Sequence, residues 1–204
     1  MKQAWRGLLG LLAVAAALAV QAQAGAPKQI EVCASCHGER EMGSQDSGYP
    51  GIAGLPASYI RAQLKAFRHG ARDNVMMAAV ASGVDAAQRR DLARYLAALP
   101  VVVTADAAKS APLNPVGAAL AVRGAAGIPA CASCHGAAGL GSGSFPRLAG
   151  QSADYLAAQL RHWATGQRPA GNPPVMPAIA KRLSRAQIKA ISAYYAALPA
   201  GPTG

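Results

Sequence analysis

The sequence predicts an all-α protein made of two tandem copies of one small domain. Three observations carry this expectation. The hexapeptide Cys33-Ala34-Ser35-Cys36-His37-Gly38 recurs letter for letter as Cys131-Ala132-Ser133-Cys134-His135-Gly136. The segments that follow the two copies also match, in the same order, to the end of each half. No stretch alternates apolar and polar residues between turn signals, as a half-buried strand would.

Residues 1–24 read as a cleaved export signal. Lys2 and Arg6 supply the positive start, Gly7 to Val20 the apolar stretch, and Ala22-Gln23-Ala24 a small-residue cleavage site. The apolar run is shorter than the roughly 20 residues a membrane span requires, and no later run is long enough. The mature chain is therefore expected to begin near Gly25 and to reside in the periplasm, soluble or held peripherally at the membrane.

Residues 25–100 form the expected first domain, 101–115 the linker, and 116–204 the second domain. Tyr49-Pro50-Gly51-Ile52-Ala53-Gly54 matches Phe145-Pro146-Arg147-Leu148-Ala149-Gly150, and Tyr59 to Leu64 matches Tyr155 to Leu160. Phe67 falls on Trp163, Gly70 on Gly166 and Arg72 on Arg168. The halves close on Tyr95 to Pro100 and Tyr194 to Pro199. Asp85-x-x-Gln88 and Ser184-x-x-Gln187 have the form of capping boxes opening the last helices, and Ser152 is a candidate N-cap for the middle helix of the second unit, where the first has Pro56. The second unit has a further helix candidate over 116–123. In the first unit the export cut leaves only a few residues before Cys33, so that helix is expected to be short or missing.

C-x-x-C followed by His is a c-type haem attachment pattern. Two thiols one helical turn apart can add to the two vinyl groups on one haem edge, and the adjacent imidazole then projects towards the iron. A zinc site would require further ligands, yet these four are all the cysteines in the chain. A redox dithiol would sit in a βαβ pattern, which is absent. The expected cofactors are two covalently bound haem c groups, attached at Cys33, Cys36, Cys131 and Cys134, with His37 and His135 on the irons.

The repeat also selects the opposite iron ligand. Met77 and Met176 each lie 23 positions before the closing prolines. Met76 falls on Val175 and is the rival to Met77, whereas His69 and His162 have no counterparts. A duplicated site should duplicate its ligand, which favours Met77 and Met176. A thioether favours ferrous iron and fills the coordination sphere, which suits electron carriage rather than substrate chemistry. Pro50 and Pro146 offer backbone carbonyls that could orient the ligating imidazoles. Arg72 and Arg168 are candidates to neutralise haem propionates, with solvated loop arginines as the alternative. Tyr59, Tyr155, Tyr95 and Tyr194 are most simply helix-packing residues.

Hydrophobic residues make up 52% of the chain but aromatics only 5%. Two small cores so poor in large side chains need added bulk, and buried haems would supply it. The formal charge of +11 is unevenly spread. Residues 25–100 carry nine Lys/Arg against seven Asp/Glu, and residues 101–204 carry nine against two. In an exported haem protein this basic second domain suggests docking to an acidic redox partner rather than to nucleic acid.

With twin C-x-x-C-H-G sites, Phe145-Pro146-Arg147-Leu148-Ala149-Gly150-Gln151, the following Tyr and Gln-Leu, and a Met before each last helix, the chain resembles the di-haem cytochrome c4 family. The resemblance implies two cytochrome c-like domains related by a pseudo-twofold, and haems near enough for intramolecular electron transfer. It also implies a periplasmic carrier, not an enzyme, that takes electrons from respiratory donors to an acceptor such as a terminal oxidase. The first domain departs from the second in reading Tyr49-Pro50-Gly51-Ile52 and in its shortened start, which implies unequal haem environments. A second reading is the di-haem subunit of a dehydrogenase complex similar to flavocytochrome c sulfide dehydrogenase. A third is an enzyme resembling thiosulfate dehydrogenase.

Overall fold

A computed structural model describes residues 25–44, 46–101 and 113–201. The expected export signal, and residues 102–112 of the expected linker, lie outside the described residues. The described chain is helical and has no strand. Its only β-type pairings are two isolated bridges, Ala125 with Ile128 and Ser142 with Phe145.

The first domain contains α1 (Ile30–His37), α2 (Ala57–Arg68), α3 (Val75–Ser82) and α4 (Ala86–Ala98). The second contains α5 (Pro115–Arg123), α6 (Ala132–His135), a 3₁₀ turn (Ala137–Gly139), α7 (Ala153–Ala164), α8 (Met176–Ala180) and α9 (Arg185–Ala197). Local chemistry sets the helix starts. Asp85 and Ser184 each accept from the backbone N–H three residues on, and their own backbone N–H groups donate to Gln88 Oε1 and Gln187 Oε1, closing both capping boxes. Ser152 accepts from the Tyr155 N–H to open α7, while Pro56 occupies the equivalent place before α2 without a side-chain cap. Asn74 caps α3 by accepting from the Met77 N–H at 2.9 Å.

Each domain has its own small apolar core. Leu55, Ile60, Ala93 and Leu96 form the first. Leu120, Ala121, Leu156, Ile191 and Tyr195 form the second. Full burial of one Leu or Ile contributes about 1.5–3 kcal/mol, so cores of this size lean on whatever else fills them.

The cores differ at one helix. In the second domain α5 lies against α9 so closely that a Cβ on Gly117 would run into the Ala190 carbonyl and the Tyr194 side chain. Among the described residues no helix of the first domain covers α4 in that way, and Asp91 stands where α9 has Ala190. In both domains a loop is pinned to the last helix by the same bond: Gly54 N–H to Leu96 O at 2.8 Å, Gly150 N–H to Tyr195 O at 2.9 Å. Val101 packs on this junction. A Cβ at Gly54, where φ is +68°, would overlap its Cγ2.

Candidate haem sites and the interface between them

Both C-x-x-C-H motifs are helical, so their two thiols fall about one turn apart on the same face. His37 and His135 are buried and close these helices, each followed by a glycine with φ near +80°. His37 Nδ1 lies 2.7 Å from the Pro50 carbonyl oxygen, and His135 Nδ1 lies 2.8 Å from that of Pro146. A carbonyl only accepts, so each Nδ1 carries the proton and each Nε2 presents a lone pair. Burial disfavours the imidazolium form of both rings, despite the opposing pull of these carbonyls. The Tyr49 and Phe145 rings stand edge-on to the two imidazoles at 6.3 and 5.8 Å between centres.

In the second domain, Cys131, Cys134, His135 and Met176 line one largely apolar cavity. The buried Ser192 hydroxyl, which has no protein partner, and Tyr195, beside Cys131, line it too. An apolar slot with two thiols and an imidazole along one side and a thioether among its walls fits a covalently bound haem. Met77, the match to Met176 in the repeat, is half-buried in the first turn of α3, while Met76 beside it is 63% exposed.

The cavity reaches the other domain through Leu55 and Tyr59. There the structure brings together side chains far apart in the sequence. Arg72 and Arg168 are not solvated loop residues; they are buried, at 8% and 4% exposure. Arg72 donates to Gln63 Oε1 at 2.7 Å in its own domain, and across the interface to Gln159 Oε1 at 2.7 Å and the Tyr155 hydroxyl at 3.1 Å. Arg168 mirrors this. It donates to Gln159 Oε1 at 3.0 Å at home, and across the interface to Tyr59 hydroxyl at 2.9 Å and Gln63 Oε1 at 3.2 Å. Each guanidinium also sits over an aromatic ring, Phe67 at 4.5 Å and Trp163 at 3.8 Å.

Tyr59 and Tyr155 are therefore more than packing residues. Burial opposes ionisation of Tyr155, yet the two guanidiniums outweigh it and hold the hydroxyl below the usual phenol range. Tyr59 lies above that range, through burial and the neighbouring Tyr155. Among the described residues neither arginine is paired with a carboxylate; the only ion pair is Arg94 with Asp91.

Two further residues tie the domains together. Gly51 N–H donates to Gln151 Oε1 at 2.9 Å, and Gln151 Nε2 donates back to the Gly51 carbonyl at 2.5 Å. Arg147, the residue that replaces Gly51 in the second copy, is buried and donates to Ala149 O at 2.6 Å and Ala53 O at 3.4 Å. Burial draws its pKa down to about 10, so it remains charged at neutral pH. The signal for this interface was present in the repeat. Tyr59/Tyr155, Gln63/Gln159 and Arg72/Arg168 share one offset of 96 positions, and polar residues retained in both copies have a common task.

Comparison with known proteins agrees with this picture. The Cytochrome c family model matches twice, at residues 23–100 and 121–198. The chain is 41% identical over 188 residues to the thiosulfate dehydrogenase electron acceptor of Stutzerimonas stutzeri, covering 91% of this chain and 87% of that one. It is 35% identical over 192 residues to cytochrome c4 of Pseudomonas aeruginosa, covering 91% and 92%. Among solved structures it resembles the thiosulfate dehydrogenase TsdBA of Marichromatium purpuratum, with a TM-score of 0.70 and 35% identity, covering 82% of this chain and 36% of that one. The two curated relatives are matched over 87% and 92% of their own length, and the paired motifs Cys33/Cys36 and Cys131/Cys134 point to two covalently bound haem c groups. The chain thus belongs to the di-haem cytochrome c4 family, as an electron carrier rather than an enzyme.

Proposed function

We propose that this protein is exported to the periplasm by removal of residues 1–24, and that it carries electrons there between a dehydrogenase and a terminal acceptor such as an oxidase. The observation that carries the reading is the pair of buried arginines on neutral partners. Two guanidiniums withdrawn from water with no carboxylate beside them among the described residues call for anions, and haem propionates would supply them.

When bound, each haem supplies a one-electron iron couple. His37 and His135 would hold the iron through Nε2, each ring kept in one orientation by the Pro50 or Pro146 carbonyl. Met77 and Met176 would supply the second ligand to each iron, a thioether that favours the ferrous state. The apolar walls exclude water, which keeps the reorganisation that accompanies each change of charge small. Arg72 and Arg168 would neutralise propionates and, by bonding across the interface, hold the two domains in a fixed relation. The basic second domain, nine Lys/Arg against two Asp/Glu, presents the docking face to an acidic partner.

The relatives favour one donor in particular. A 41% identical protein is named for accepting electrons from thiosulfate dehydrogenase, and the matched solved chain is itself a thiosulfate dehydrogenase of which this chain spans about a third. We assign the protein the acceptor role in such a pair. Stopped-flow mixing of the oxidised di-haem protein with a thiosulfate dehydrogenase and thiosulfate tests this. Haem reduction dependent on both, and slowed by rising ionic strength, is the expected result. No reduction above the rate given by thiosulfate alone would reject that donor, and rates indifferent to salt would reject the basic docking face.

A further inference from the structure

Glu41 breaks the repeat. It stands four residues after His37, where the second domain has Gly139 four residues after His135. The two positions are structurally equivalent. Both backbones are left-handed, with φ of +56° and +72°. Each carbonyl accepts from two successive N–H groups: Ile52 and Ala53 on Glu41, Leu148 and Ala149 on Gly139. Glycine is the residue such a backbone favours, and any other carries a cost of about 1–2 kcal/mol.

In the second domain a side chain could not be accommodated there. A Cβ on Gly139 would overlap the Tyr195 ring, which fills the space on the side of Cys131. In the first domain Leu96 holds the place of Tyr195, as the matching Gly54 and Gly150 bonds show. The smaller leucine removes the clash that bars a side chain from the equivalent position in the second domain. Glu41 is 1% exposed, and neither carboxylate oxygen has a hydrogen-bond partner. Its charge is felt at Cys33, the first haem-attaching cysteine, just as Tyr195 is coupled to Cys131. A left-handed non-glycine residue and an unpartnered buried carboxyl are both unfavourable, and Gly or Gln would remove one or both.

We propose that Glu41 is a proton-binding site linked to the oxidation state of the first haem, with no counterpart at the second. Reduction adds one electron to ferric iron, and the loss of one positive charge nearby lets the Glu41 carboxylate bind one proton from solvent. Oxidation returns the electron to the acceptor and releases that proton. The inference rests on haem attachment at Cys33 and Cys36.

The surroundings leave Glu41 to act alone. On α1, Cys33 ceases to titrate once it is a thioether, and Glu31 is exposed. Glu39 and Arg40, in the turn that follows, are also exposed. On α4, Leu92, Ala93 and Leu96 are the buried residues, with Arg90, Asp91 and Arg94 exposed and Arg89 engaged by the Val84 carbonyl. The loop that bonds to the Glu41 carbonyl carries no ionisable side chain from Gly51 to Leu55, and Arg147, which reaches Ala53 from the second domain, stays charged. Burial pushes the carboxyl up to about 7, within reach of physiological pH.

Spectropotentiometric titration of the two-haem protein between about pH 5 and 9 tests the proposal, with each step assigned to its domain by the paramagnetic NMR signals of the haems. The first haem's midpoint should fall as pH rises, by up to a tenfold change in the electron equilibrium per pH unit, which is about 59 mV for a one-electron couple. In Glu41→Gln and Glu41→Gly that slope should vanish while the second haem is unchanged. The redox-difference infrared spectrum should show a protonated carboxyl appearing on reduction, absent in Glu41→Gln. A flat first midpoint in the unaltered protein, or a slope that survives both substitutions, would overturn the proposal. A protein with a single redox step would instead overturn the two-haem reading and take this inference with it.

Discussion

Replacing Arg168 by Met tests whether the two domains are held together by the interface cluster. The substitution keeps an apolar stem over Trp163 but removes the guanidinium and its bonds to Gln159, Tyr59 and Gln63. The two glutamine oxygens keep a partner, because Arg72 also donates to each at 2.7 Å. The lost terms are then the charged bond to Tyr59, the bonds to Gln159 and Gln63, whose oxygens stay satisfied, and the cation–π contact, together about 2–4 kcal/mol. Urea unfolding followed by circular dichroism and haem absorbance measures the total. A cycle with Tyr59→Phe and the double variant isolates the contact across the interface, for which we expect a coupling of about 1–2 kcal/mol. Additivity of the two substitutions within about 0.5 kcal/mol would refute the claim that this bond joins the domains. Loss of a positive charge beside a propionate should also lower the second haem's potential, and an unchanged potential would argue against the propionate assignment of Arg168.

Three further outcomes are expected. Met176→His should lower the potential of the second haem alone and halve the far-red ferric–thioether absorption band, with Met77→His doing the same to the first; an unchanged band would move the ligand assignment to another residue, Met76 in the case of the first domain. Gly139→Ala places a Cβ against the Tyr195 ring at a φ of +72° and should destabilise the protein by about 2–4 kcal/mol, read as a fall in the unfolding midpoint. For Glu41, the folded carboxyl titrates near 7 against an ordinary 4.5, so between those values the folded chain binds more protons than the unfolded one and stability falls as pH rises. Glu41→Gln should abolish this slope, leaving the variant more stable than the parent at pH above 7 by at most about 3 kcal/mol; equal pH profiles for the two proteins would contradict it.

Much of this protein was legible from its residues in order. Two identical C-x-x-C-H-G motifs specify haem attachment, because that chemistry needs two thiols and an imidazole at fixed local spacing, which a helical turn provides wherever it lies. The capping boxes at Asp85 and Ser184 were legible for the same reason: donor and acceptor are three residues apart. The duplication set the number of domains and paired Met77 with Met176. What the order of residues left open was which surfaces meet. Arg72 and Arg168 could be read as solvated loop residues, and Tyr59 and Tyr155 as packing, because their partners lie more than 80 positions away and are chosen only when the domains dock. Glu41 is the sharper case. In the sequence it is one more acidic residue in a charged turn, Glu39-Arg40-Glu41, and nothing local marks it for burial. A side chain at the equivalent place in the second domain would meet the Tyr195 ring, where the first domain has Leu96, far along the chain, so only the packed core decides whether that carboxyl can be buried.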